Sequence, residues 1–116
     1  MRVIITLFIC LLPMFTQAGV QSESDNKLYI KMIESAWGKN GIVIKFDREI
    51  TYDGTNPGCE WGWSVFVSKD NNAMMDHILS IALAAQMAQK PVKVYVEDTC
   101  STSRAELISL QIWNEE

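Results

Sequence analysis

The sequence predicts a mainly β chain with one helix, its strands arranged β-β-β-α-β-β around a small hydrophobic core. Three observations carry that prediction. A single long helical segment runs from Ser68 to Gln89, short runs of alternating apolar and polar residues lie on both sides of it, and the cysteines Cys59 and Cys100 bracket it. Repeats and low-complexity tracts, which would point to other architectures, are absent from the sequence.

The helix is read from its period. Met74, Met75, Ile78, Ile81, Ala82 and Ala85 recur at three- and four-residue steps and should face the core. Ser68, Asp70, Asn71 and Asn72 offer oxygens to cap a first turn, and Pro91 closes the segment. Leu79, Leu83, Ala84, Met87 and Ala88 spread apolar surface around the remaining arc, with only Asp76, His77, Ser80, Gln86 and Gln89 polar. So apolar a helix in a short chain has more surface to hide than one small sheet covers. Leu79, Leu83 and Met87 are therefore expected to meet another copy or a partner, the alternative being a thin polar stripe on a monomer.

Residues 1–18 read as a signal peptide. Arg2 precedes the apolar run of residues 3–15, and Thr16-Gln17-Ala18 ends in small residues suited to cleavage. Thirteen apolar residues at ~1.5 Å each reach about 20 Å, short of the ~30 Å hydrocarbon slab, so no stable membrane insertion is expected. Ile9 stands where a lipoprotein site would need a small residue before Cys10. The chain should be exported, to the periplasm or beyond the cell. Residues 19–26 (GVQSESDN) are polar and read as a flexible leader, and residues 27–114 as a single domain.

Lys27 to Trp37 should form the first strand, with Leu28, Ile30 and Met32 on one face, and Ile42 to Phe46 should return from the turn Gly38-Lys39-Asn40-Gly41. Asp47 to Gly58 carries Asp-Gly and Asn-Pro-Gly signals and reads as loop. Cys59 to Val67 is the third strand, whose alternation puts Cys59, Trp61, Trp63, Val65 and Val67 on one face and so favours core packing for the tryptophans. Val92, Val94 and Val96 should point inward from the strand after the helix. Ile108, Leu110 and Ile112 should do so from the last, which ends before the acidic tail Asn114-Glu115-Glu116. This element order is that of an OB-fold, a five-stranded barrel with its helix between strands three and four, and a helix packed on an open antiparallel sheet is the alternative.

Beyond the leader two cysteines remain. In an exported protein an even pair reads as one disulfide, and closing a loop of ~40 residues contributes about 4 kcal/mol in the chain-entropy model. A metal site is disfavoured, since the only histidine, His77, lies within the helix and no CxxC spacing occurs. No cofactor is expected.

Ten lysines and arginines face fourteen aspartates and glutamates, net −4, and the balance is one charge more negative without Arg2. The cations are scattered, which argues against nucleic acid as a partner. Catalysis finds few candidates. Both cysteines are expected to be oxidised, His77 sits among methionines and leucines, Glu97 and Asp98 alternate to opposite faces of a strand, and Asp47 and Glu49 lie in a loop. We read the protein as no enzyme. Binding is better served, because Trp and Tyr faces stack on the C–H faces of sugars while Asp and Asn fix hydroxyls. Trp37 at the hairpin rim, and Tyr52 beside Asp53 and Asn56, are the candidate ligand residues.

The element order, the apolar helix running into KPVKVYVEDTC and the closing strand AELISLQIW together resemble the B subunits of pentameric bacterial toxins, of the subtilase-cytotoxin and typhoid-toxin type, or a wider group of small exported bacterial OB-fold proteins. The likeness spans roughly Lys27 to Trp113. It implies a homo-oligomeric ring, a pentamer with its helices lining a pore, that binds cell-surface glycans and carries an enzymatic A subunit. The family's sugar pocket uses a serine near the start of the mature chain, which by element falls on Ser35. The contrasting expectation is a periplasmic protein-interaction or inhibitor-like protein with the same barrel and no glycan site.

Overall fold

The computed structural model describes residues 19–36, 40–70, 72–101 and 103–113. They form one helix and six strands: β1 (Gly19–Gln21), β2 (Ile30–Ser35), β3 (Gly41–Phe46), β4 (Ser64–Ser68), α1 (Met75–Ala88), β5 (Val92–Ser101) and β6 (Arg104–Ile112). All six strands join one open sheet in the order β1-β5-β6-β4-β3-β2, antiparallel except for the parallel pair β4–β6. The signal-peptide segment, Trp37, the Gly38-Lys39 turn, Asn71, Thr102 and the tail 114–116 lie outside the described residues.

The fold is thus mainly β with one helix, but the sheet is open and six-stranded where a closed five-stranded barrel was expected. The added strand explains the opening. Residues 19–21, read as flexible leader, pair with β5 as Gly19↔Glu97, Val20↔Val96 and Gln21↔Tyr95. Ser22, 2 % exposed, extends the contact by donating its N–H to the Val94 carbonyl at 2.9 Å and accepting the Val94 N–H on Oγ at 3.1 Å. That edge of β5 is therefore taken from Val94 to Glu97. Only Val92 is left for the stretch leading into β2, and it donates to the Leu28 carbonyl at 2.8 Å in an isolated bridge.

The core lies between the sheet and α1. From β3, β4 and β5 it takes Ile44, Phe46, Val65, Val67, Val92, Val94 and Val96, as alternation predicts. Two bulges then displace the expected faces. In β2 the register shifts between Ile30 and Met32, so Leu28 and Ile30 are buried, Met32 is 42 % exposed, and Ile33 packs on the core instead. In β6 Tyr95 pairs with Ser109 but Val96 with Leu107, which leaves Ile108 as the extra residue. Ala105 and Leu107 are consequently inward before the bulge and Leu110 after it, while Ile108 is half-buried and Ile112 is exposed at the sheet's end. Gly41 answers a close approach, since a Cβ there would overlap the Val67 carbonyl across the β3–β4 pair.

Helix α1 is shorter than its sequence signals suggest. Ser68 ends β4, and Asp70 Oδ1 instead accepts from Asn40 Nδ2 at 3.0 Å. Asn72 organises the entry: its Oδ1 accepts the Met74 N–H at 2.9 Å, and its Nδ2 donates to the Leu107 carbonyl at 3.2 Å, tying the turn to β6. Gln89 ends the helix in the left-handed region at φ 55°, and the Lys90 N–H caps the Ala85 carbonyl at 3.0 Å. Ile78, Ala82 and Ala85 are buried and Met75 and Ile81 pack beside them, whereas Met74, expected in the core, is 52 % exposed before the first turn. Of the outer residues Leu79 is half-buried, Leu83 is 44 % and Met87 is 83 % exposed, so the described residues leave that face uncovered.

Candidate functional site

The connection from β3 to β4, residues 47–63, holds no strand or helix, yet it is fixed at many points. Ile50 plugs it into the core at 1 % exposure, and the Ile50 N–H donates to the Gly62 carbonyl at 2.9 Å. Thr51 donates its N–H to Asn26 Oδ1 at 2.9 Å, and Asp53 donates its N–H to the Gln21 carbonyl at 2.8 Å, so the loop leans on the β1 segment. Asn56 Oδ1 accepts the Gly58 N–H at 2.7 Å, folding the Asn-Pro-Gly turn. The far half is held by the Cys59–Cys100 disulfide and by the Trp61 N–H, which donates to the Ser103 carbonyl at 2.9 Å.

This loop presents two tryptophans outside the core. Trp61 and Trp63 meet edge to face with ring centroids 5.2 Å apart. Each also has a cation over its ring: Lys45 Nζ lies 5.6 Å from the Trp63 ring centre, and the Arg104 guanidinium carbon 5.5 Å from that of Trp61. The result is a row Lys45, Trp63, Trp61, Arg104, with Arg104 oriented by its Nε, which donates to Ser64 Oγ at 2.9 Å.

Beneath Trp61 is a hollow of about 190 Å³, lined among others by Glu49, Tyr52, Asn56, Cys59 and Ser64. Gly62 admits Glu49 to this wall, because a Cβ there would press on Glu49 Oε2 at 2.9 Å. Burial pushes the Tyr52 phenol up to about 12, so it stays protonated and able to donate. At the loop's start, burial pulls the Asp47 carboxyl upward. The Arg48 and Tyr29 hydrogen bonds, with the Arg48 charge, together outweigh that and hold it below the usual range. The Arg48–Asp47 pair closes at 2.9 Å.

No family model, curated protein or solved structure matches this chain. The site therefore rests on its own atoms.

Of the residues expected to bind ligand, Tyr52 and Asn56 come together in the hollow. Asp53 is exposed and turned to β1 through its backbone, and Ser35 ends β2 opposite Ile42 without lining the hollow. Trp37 lies outside the described residues. Trp61, 38 % exposed, and Trp63, half-buried, are the side chains that sequence reasoning assigned to the core. That assignment assumed strand alternation from Cys59 onward, but β4 begins only at Ser64. The glycines at 58 and 62 were the available signal. Among the described residues no three His, Cys, Asp or Glu side chains gather into a metal-binding group, and no helix is long and apolar enough to cross a membrane. His77 stands exposed on α1.

Proposed function

We propose that the protein is an exported, non-catalytic binding module whose ligand is a glycan, with one sugar ring seated at Trp61. The observation that carries this is a partly exposed indole over a small hollow of mixed polarity. The Trp61 ring offers a stacking face, and the Tyr52 phenol, the Asn56 amide and the Glu49 carboxylate surround it as hydroxyl partners. At about 190 Å³ the hollow suits one ring of a longer chain, being smaller than the ~300 Å³ and upward of whole-ligand pockets.

The connectivity supports an OB-type fold, opened by β1. The strands β2-β3-β4-β6-β5, the parallel β4–β6 pair and the helix between β4 and β5 follow that order, with the Leu28–Val92 bridge as the remaining seam. The same reading assigns the uncovered face of α1, with Leu83 and Met87, to a second copy of the chain in a toxin B-subunit-like ring, which native mass spectrometry tests directly.

A glycan array is the decisive experiment. The protein binds a subset of glycans, and Trp61→Ala, with its fold verified by circular dichroism, weakens that binding about ten-fold, as loss of ~1.4 kcal/mol of stacking requires. A folded protein without signal above background, or full binding by Trp61→Ala, refutes the reading.

A further inference from the structure

The other end of the tryptophan row opens into a separate hollow. It measures about 320 Å³ and is lined by Lys31, Met32, Lys45, Phe46, Trp63 and residues 47–49. Its floor is apolar: Phe46 is buried beneath it, Trp63 is half-buried, and the β2 bulge leaves Met32 42 % exposed at this spot when an unbroken alternation would have kept it in the core. Apolar surface held open in this way is the ordinary lining of a small-ligand site, and the volume is within the range such sites occupy, ~300–1,000 Å³.

The charges at its rim select the ligand. Lys31, Lys45 and Arg48 are the cations, and Asp47 and Glu49 the anions. Arg48 and Asp47 neutralise each other at 2.9 Å. Among the described residues neither Lys31 nor Lys45 stands in an ion pair, and Lys45 sits 5.6 Å from the centre of the Trp63 ring. Two ammonium groups thus face the single remaining carboxylate of Glu49, in a chain whose net charge is −4. A neutral body laid on Trp63 would strip water from the Lys45 ammonium without replacing its hydrogen bonds, and a cation would be repelled. An anionic head group would restore those bonds with charge assistance while its apolar body covers Trp63 and Met32.

We propose that the hollow over Trp63 is a second binding site, for a small carboxylate with a flat apolar body, its head between Lys31 and Lys45 and its body on the indole. This site differs from the sugar reading at Trp61 in ligand class and in its cations, although Glu49 borders both hollows.

The test uses 2-naphthoate and its uncharged amide as probes, with calorimetry for affinity and the Trp63 indole N–H resonance for location. Naphthoate binds and shifts the Trp63 signal, and the amide binds about ten-fold more weakly, as the loss of one charge-assisted contact requires. The double variant Lys31→Gln/Lys45→Gln, a change at the rim that leaves the core intact, abolishes the preference for the acid, and Trp63→Leu weakens both probes. Equal affinity for acid and amide, an unchanged preference in the lysine variant, or no binding of either probe overturns the proposal. Because neither probe is a sugar, each of these outcomes is decided whatever the glycan array returns.

Discussion

Breaking the Cys59–Cys100 bond by a double substitution to alanine should lower stability by about 4 kcal/mol. The bond closes a loop spanning 41 positions, and the chain-entropy relation gives roughly 13 cal/mol/K for a loop of that length, or ~4 kcal/mol at room temperature. With an unfolding entropy of about 2 cal/mol/K per residue, a domain of this size should lose roughly 20 °C in Tm. The loss should not be uniform. Residues 59–63 then rest on the Trp61–Ser103, Phe46–Trp63, Ile50–Gly62 and Ser64–Trp61 backbone bonds, so the Trp61 and Trp63 environments should loosen first. Thermal unfolding followed in the far ultraviolet gives the global term, and tryptophan fluorescence gives the local one. A Tm change under about 5 °C would refute the reasoning, showing that the unfolded chain already confines this loop without the bond.

Two other outcomes follow from burial. Ile44→Ala, at a site with 0 % exposure in the middle of β3, should cost about 2–5 kcal/mol by denaturant titration, with the denaturant slope unchanged. Tyr52 has its folded-state pKa raised by burial to about 12 from 10.0, so its contribution to stability is complete below pH 10 and is lost as pH rises toward 12. Phenolate absorbance of the folded protein should therefore include a late-titrating component, and Tyr52→Phe should remove it.

Regular elements were legible in the sequence where local pattern and packing agree. Val92, Val94 and Val96 alternate without interruption and are buried, and Ile78, Ala82 and Ala85 recur at helical spacing and are buried too. The cysteine pairing was legible because only two cysteines follow residue 18. What escaped was parity. A bulge adds one residue and changes which faces follow, so Met32 and Ile108 were read inward although no residue type announces the shift. Strand β1 escaped because three residues are too few to show a period, and its partner β5 lies more than seventy positions away. For the site, Tyr52 and Asn56 were visible as loop polar groups. Trp61 and Trp63 were lost to an overlong strand, and Arg104 reaches Ser64 only through a contact 40 positions apart.

The short β1 strip also acts as a guard. Without it, β5 would offer bare backbone donors and acceptors from Val94 to Glu97, alternating with valines, on a flat rim where strands of neighbouring molecules stack and fibrils begin. Gly19 lies against the outer end of the Tyr95 ring, which a larger residue there would push aside. Colloidal behaviour of the whole molecule thus depends on three paired residues and the Ser22 anchor at its margin.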